Sequence, residues 1–168
     1  MVQKYRCKGC GYYHIGPAPE RCPVCGSPKS FFLPYEGPGD LTGTRTLDNL
    51  KSAIAGESQA NRRYTLFSRV AELEGAASAV AAFDHAAAEE TAHALGHLAY
   101  AGMVGSTAEN LKASVEGETY EFIDMYPQFA EEAEAEGFQE IAYFFRNVGG
   151  FEKKHKEQYE TALKDLEG

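Results

Sequence analysis

Glu90-Thr-Ala-His93 recurs sixty-two residues later as Glu152-Lys-Lys-His155, and the reading of this pair decides the fold. On a helix, residues i and i+3 project from one face, so each glutamate and its histidine can converge on one ion. Working outward, the flanking sequence repeats too. Ser52-Ala-Ile-Ala-Gly-Glu57 lines up with Ala113-Ser-Val-Glu-Gly-Glu118 at an offset of 61, while Glu74-Gly75 with Glu136-Gly137 and Phe83 with Phe145 sit at 62. The segment therefore reads as two copies of one helical hairpin, the second carrying a one-residue insertion.

Four helices follow from the pattern. The first starts near a Thr46 or Asp48 cap, buries Leu47, Leu50, Ile54, Tyr64, Phe67 and Val70, and stops at Gly75. The second runs from about 76 to 103, the third from about 108 to 136, and the fourth from Gly137 to near Leu166, with Gly149-Gly150 as a weak point inside it. Glu57 and Glu90 lie at matching distances from the Gly75 turn, as Glu118 and Glu152 do from Gly137. Folding the hairpins together is expected to bring Glu57, Glu90, His93, Glu118, Glu152 and His155 to one level of a four-helix bundle. One glutamate from each of two helices, plus Glu-x-x-His from each of the others, is the ligand set of carboxylate-bridged dinuclear iron or manganese sites. Four buried glutamates without cations would face a desolvation cost that forces protonation, and two divalent ions relieve it. Glu121 stands one turn after Glu118 where the first copy has Ala60, so the site is asymmetric. His85 and His97 have no repeat partner and read as surface or packing residues.

The other metal signal is at the N-terminus. Cys7-Lys-Gly-Cys10 and Cys22-Pro-Val-Cys25 are two knuckles, each followed by glycine, and the remaining chain has no cysteine. Four thiolates on two knuckles make a tetrahedral site open to iron or zinc, with spacing alone favouring structural zinc. The expected domains are residues 1–34 (cysteine knuckles), 35–45 (a Pro/Gly linker) and 46–168 (helical bundle). Residues 1–45 carry a formal +3 and residues 46–168 a formal −12. The net −9 disfavours nucleic acid as a partner. No apolar run reaches the roughly 20 residues of a membrane helix, and the first residues lack the apolar core of an export signal, so a soluble cytoplasmic protein is expected.

The motifs resemble a known family. Tyr5-Arg-Cys-Lys-Gly-Cys-Gly-Tyr-Tyr13 and Ala18-Pro-Glu-Arg-Cys-Pro-Val-Cys-Gly-Ser-Pro-Lys-Ser-Phe31 resemble the rubredoxin-like domain of rubrerythrins. Ala55-Gly-Glu-Ser-Gln-Ala-Asn-Arg-Arg-Tyr64, Ala88-Glu-Glu-Thr-Ala-His93, Gly117-Glu-Thr-Tyr-Glu121 through Met125-Tyr-Pro127, and Ala135-Glu-Gly-Phe138 resemble their diiron bundle. The cysteine domain comes first, as in reverse rubrerythrins. The resemblance implies a mainly α, ferritin-like four-helix bundle behind a rubredoxin-like domain. It also implies a non-heme diiron peroxidase reducing hydrogen peroxide to water against oxidative stress. Two bundle irons and one Fe(Cys)₄ iron are implied as cofactors, zinc being a misloaded substitute, with an NAD(P)H-dependent rubredoxin reductase or similar donor. By the same resemblance Glu90 and Glu152 bridge the irons, Glu57 and Glu118 are terminal ligands, and His93 and His155 each bind one iron. Glu121 is implied as a ligand that switches with His93, and Tyr64 and Tyr126 as hydrogen-bonding residues near the site.

Two functions compete. The alternative is a ferritin-type ferroxidase or iron-handling protein whose cysteine domain is structural. Seven candidate ligands and a fused one-electron relay favour the enzyme. The resemblance further implies a head-to-tail homodimer. Because the linker joins the bundle at the start of the first helix, far along the axis from Glu57, electron transfer is expected to run between chains.

Overall fold

A computed structural model of the chain describes residues 2–168 and divides it after Val104 into two compact units. The first unit opens with three short strands, β1 (Lys4–Cys7), β2 (Tyr13–Ile15) and β3 (Phe32–Pro34). They form an antiparallel sheet in the order β2-β1-β3, with Tyr5 opposite His14 on one side and Cys7 opposite Phe32 on the other. Cys7, Cys22 and Phe32 are its core, packed by Tyr5, Tyr12, Ala18, Val24 and Phe31. So small a sheet buries little apolar area, and a bound ion is what such a domain needs to hold its shape.

Helix α1 (Arg45–Leu73) begins where the Thr44 side chain accepts a hydrogen bond from the Leu47 N–H. It turns at Gly75, whose φ of +72° suits glycine, into the antiparallel α2 (Ala77–Tyr100). The residues buried along this hairpin are small: Ala71, Ala87, Ala94, Gly96 and Ala99, with Asn61 and Ser68. Small side chains bring the two axes close, and the buried polar groups are satisfied. Asn61 donates to the Ala87 carbonyl at 2.6 Å and to Thr91 Oγ1 at 2.8 Å, and Ser68 donates to Asp84 Oδ1 at 2.5 Å.

The strand domain packs on α2. Tyr35 donates to the Ala99 carbonyl at 3.4 Å, Tyr100 donates to the Gly11 carbonyl at 3.3 Å, and the Tyr13, Tyr35 and Tyr100 rings follow edge to face at 5.7 and 5.3 Å. Burial pushes the Tyr35 and Tyr100 phenols above their usual range.

The second unit starts at α3 (Thr107–Tyr120), capped by a reciprocal pair in which Ser106 Oγ accepts from the Glu109 N–H and Glu109 accepts from the Ser106 N–H. The single third helix expected from sequence is interrupted. Glu121–Met125 form one π-helical turn, in which the Tyr126 N–H reaches back five residues to the Glu121 carbonyl, before α4 (Tyr126–Ala135) begins. Pro127 follows at once and offers no N–H to the Ile123 carbonyl, so the wider turn is accommodated where an α-helical bond is missing anyway. Gly137 then turns the chain into α5 (Gln139–Glu167). Gly149 is not a weak point: α5 runs through it, and a Cβ there would stand 3.1 Å from Tyr126 Cβ, so glycine is what lets α4 approach.

Among the described residues no helix is long and apolar enough to cross a membrane.

Candidate metal centres

The four cysteines converge. Cys7 and Cys25 Sγ are 3.7 Å apart and Cys10 and Cys22 Sγ 3.6 Å, with all four sulfurs within 4.8 Å of one another. A tetrahedron with metal–sulfur bonds of about 2.3 Å has edges of about 3.8 Å, so the thiols already hold the shape of a metal site. Each knuckle closes on its glycine: the Gly11 N–H bonds the Cys7 carbonyl at 2.8 Å and the Gly26 N–H the Cys22 carbonyl at 2.9 Å, with φ of +80° and +70°. Gly9 is needed for a different reason, since a Cβ there would meet Ser27 Oγ at 2.8 Å. Four crowded thiols cannot all ionise unaided. Burial, then the neighbouring thiols, push Cys10 up to about 12, whereas hydrogen bonding with the Ser27 side chain and backbone draws Cys25 down to about 6. A cation replaces the protons this cluster otherwise has to share.

The helices carry two more groups, one per unit. In the first, His93 Nδ1 lies 2.9 Å from Glu90 Oε2 and 3.9 Å from Glu57 Oε2. In the second, His155 Nδ1 lies 2.7 Å from Glu152 Oε2 and 3.6 Å from Glu118 Oε2. The two triads are near copies, and in both the Nδ1 nitrogen faces the carboxylates. Their electrostatics are those of donors awaiting a cation. A hydrogen bond with Glu90 holds the Glu57 carboxyl above the usual range, and the same bond, with His93, holds Glu90 below it. Burial first, then the Glu152 charge, raises Glu118. Glu118 Oε2 is buried without a hydrogen-bond partner, which in a native protein marks a site for an ion or water. Carboxylate oxygens with one imidazole nitrogen suit iron or manganese, and the residues fit that group.

Glu121, at the start of the π turn, is half-buried and adds its charge to Glu118 and Tyr126, but its oxygens fall outside the ligand cluster. Tyr126 is held protonated by burial, with Glu121, Glu152 and Glu118 adding to the effect. Tyr64 stacks on Phe83 at 6.2 Å. His85 is exposed beside Glu89, in keeping with a surface histidine.

His97, expected as a surface or packing residue, is half-buried on α2. Its Nε2 lies 4.0 Å from Glu57 Oε1, and it lines a groove of about 110 Å³ together with Cys10, Tyr12, His93 and Tyr100. This groove removes the premise for electron transfer between chains. The linker does join at the start of α1, but α2 runs antiparallel and ends beside that start. Tyr35 and Gly11 therefore dock on the last turn of α2, and Cys10 faces the same groove as His93 within one chain. The missing signal was an aromatic one, Tyr35 and Tyr100, which has no periodicity to read.

Comparison with known proteins agrees with both kinds of centre. Residues 48–163 match the family described as Rubrerythrin, and residues 5–33 the family described as Rubrerythrin, rubredoxin-like domain. Rubrerythrin of Porphyromonas gingivalis is 41% identical over 76% of this chain and 70% of its own length. Reverse rubrerythrin-1 of Clostridium acetobutylicum is 30% identical over 70% and 73%. Among solved structures, nigerythrin in a partially reduced state is 32% identical over 80% of this chain and 72% of its own, with a TM-score of 0.39.

Proposed function

The chain belongs to the rubrerythrin family of ferritin-like diiron oxidoreductases, and from that premise we propose that it reduces hydrogen peroxide to water with electrons relayed through the tetracysteine centre. The observation that carries the proposal is the shared groove: Cys10 and the bundle ligand His93 line one cavity, as an electron relay requires and a merely structural knuckle does not.

Glu57, Glu90 and His93 would hold one iron, and Glu118, Glu152 and His155 another. When bound, the iron pair supplies the two electrons that split the O–O bond without releasing a radical, and the Fe(Cys)₄ iron supplies one-electron relay. The chain's own residues do the rest. The Tyr126 phenol keeps its proton at Oη and stands ready as a donor beside the second triad. Glu121, whose charge acts on Glu118 and Tyr126, would serve as the carboxylate that changes its contact as the charge there changes. Ala92 and Gly96 leave room between the cysteine loop and α2. Four free thiols suit a reducing compartment and a cytoplasmic location, with an NAD(P)H-linked reductase as the external donor.

The test is rapid mixing of the fully reduced protein. Faster oxidation by peroxide than by oxygen supports the peroxidase, and the opposite ranking supports a ferroxidase. Cys10→Ala should abolish reductase-driven turnover while sparing a single oxidation of pre-reduced bundle iron. Loss of that iron in the variant would make the cysteine domain structural.

A further inference from the structure

The two hairpins repeat their metal ligands but not the helix face beside them. In the first, Ala92, Gly96 and Tyr100 line the groove that also holds Cys10 and His93. Their four-residue spacing sets them in one row along α2. Sixty-two residues on, at the offset that carries His93 to His155, stand Lys154, Gln158 and Ala162. All three are exposed, and Glu157, Thr161 and Asp165 extend the same polar face of α5. The first copy is thus small where the second is long, and carries a ring where the second has a methyl group.

Each difference has a use on α2. Gly96 is buried under the cysteine loop, yet a Cβ built there would meet no atom within 4 Å. Neither a tight contact nor an unusual backbone angle requires glycine, which inside a helix is destabilising relative to alanine. What Gly96 provides is space: a side chain as long as the glutamine of the second copy would fill the groove between Cys10 and His93. Tyr100 provides the hold. Its hydroxyl donates to the Gly11 carbonyl at 3.3 Å, its ring meets Tyr35 edge to face at 5.3 Å, and Tyr35 donates to the Ala99 carbonyl at 3.4 Å. Gly11 directly follows Cys10 and closes its knuckle through the Cys7 carbonyl at 2.8 Å, so Tyr100 grips the metal-binding loop itself.

We propose that Gly96 and Tyr100 are positioning residues that direct the tetracysteine centre to the first triad. Tyr100 fixes the Cys10 loop on the last turn of α2, and Gly96 keeps the space between Cys10 and His93 clear. The electron then enters at the iron held by Glu57, Glu90 and His93. One electron leaves the ferrous tetracysteine iron, which becomes ferric, and one ferric bundle iron becomes ferrous; no bond forms or breaks and no proton moves. Helix α5, with Lys154 and Gln158 in the equivalent row and no ring at Ala162, offers no such seat. The inference rests on the tetracysteine centre acting as a relay, and the experiment reads the two apart.

Fully reduced, iron-loaded protein is mixed with peroxide while two signals are followed: oxidation of the bundle iron, then the visible colour of ferric Fe(Cys)₄ as that centre gives up its electron. Gly96→Gln and Tyr100→Ala, each installing the residue of the second copy, should slow the rise of the colour about tenfold or more. Bundle oxidation, iron content and the reduction potential of the tetracysteine iron should keep their wild-type values, as a change of position alone requires. Gly96→Ala, which adds only a methyl group, should recover most of the rate, and Gln158→Ala on α5 should leave it unchanged. A readout independent of turnover is amide hydrogen exchange at Gly11 in the zinc-loaded protein, which should speed up in Tyr100→Ala and not in Gly96→Gln. Wild-type colour kinetics in Gly96→Gln and Tyr100→Ala would overturn the positioning roles and leave the relay standing. Equal slowing by Gln158→Ala would overturn the preference for the first triad, and loss of bundle iron from Gly96→Gln or Tyr100→Ala would make the role structural. No ferric colour in the wild-type protein after its bundle iron is oxidised would overturn the relay and this inference with it.

Discussion

The two hairpins repeat each other down to their rings and differ by one turn of helix. Tyr64, Phe67 and Phe83 have centroid separations of 6.4, 6.2 and 5.6 Å in the first; Tyr126, Phe129 and Phe145, each 62 residues on, have 6.3, 6.1 and 5.6 Å in the second. The ligand triads match as closely. Yet Glu118 lies only 61 residues after Glu57, so the inserted residue falls between Glu118 and Tyr126, where the π turn Glu121–Met125 is found. In a continuous α-helix an extra residue would rotate everything beyond it by about 100° and carry the ring trio off the core face. One wide turn absorbs it locally. The residue upstream and the rings downstream both keep their faces, and Glu121, a carboxylate that the first hairpin lacks, stands at the start of that turn. A duplicated scaffold can thus be made asymmetric at one point without disturbing its packing.

Substitutions that remove the same residue from each copy, or copy one hairpin into the other, probe this comparison. The largest effect is expected at the ligands themselves. Glu90→Ala and Glu152→Ala should each lower peroxide turnover about 100-fold or more, equivalent to roughly 2.7 kcal/mol on the barrier, with parallel loss of bundle iron. Iron analysis beside steady-state assays checks this, and a variant that kept full iron would break the equivalence of the two triads. Next is Glu121→Ala, which installs the Ala60 of the first hairpin. The six repeated ligands suffice to hold two ions, so iron should stay loaded while turnover falls about tenfold. Wild-type turnover would leave the asymmetric carboxylate without a redox role.

The smallest effects concern packing, where the first hairpin has Ala87-Ala88 and the second Gly149-Gly150. Gly149→Ala meets Tyr126 Cβ at 3.1 Å and should destabilise by about 1 kcal/mol despite alanine's better helix propensity. Gly150→Ala meets nothing within 4 Å and should stabilise by about 0.5–1 kcal/mol. Urea unfolding of the iron-loaded protein reads both. Equal signs would mean that α4 does not depend on the missing Cβ for its approach to α5.

Much of this was legible because it is periodic. Glu-x-x-His is a three-residue relation on one helix face, and the structure indeed holds each Glu–His pair at 2.7–2.9 Å. The knuckles are equally local, and their sulfurs lie where the spacing places them. The one-residue offset in the repeat announced an insertion, but not that it would become a π turn. That outcome depends on Pro127 withholding its N–H and on rings that have to stay on the core face. Gly149 read as a defect because propensity is a property of one residue, whereas its value lies in a contact with a residue on another helix.

The sequence by itself determined the candidate ligand triads, the hairpin repeat and the cysteine knuckles, since each is a pattern over a few neighbouring residues whose geometry the peptide backbone dictates. Only the tertiary structure decided that the cysteine domain rests on the last turn of α2, that His97 and Cys10 share a groove with His93, and that the inserted residue is absorbed as the π turn Glu121–Met125. Those depend on side chains far apart in the chain meeting at antiparallel helix ends, and no local spacing encodes a meeting of that kind.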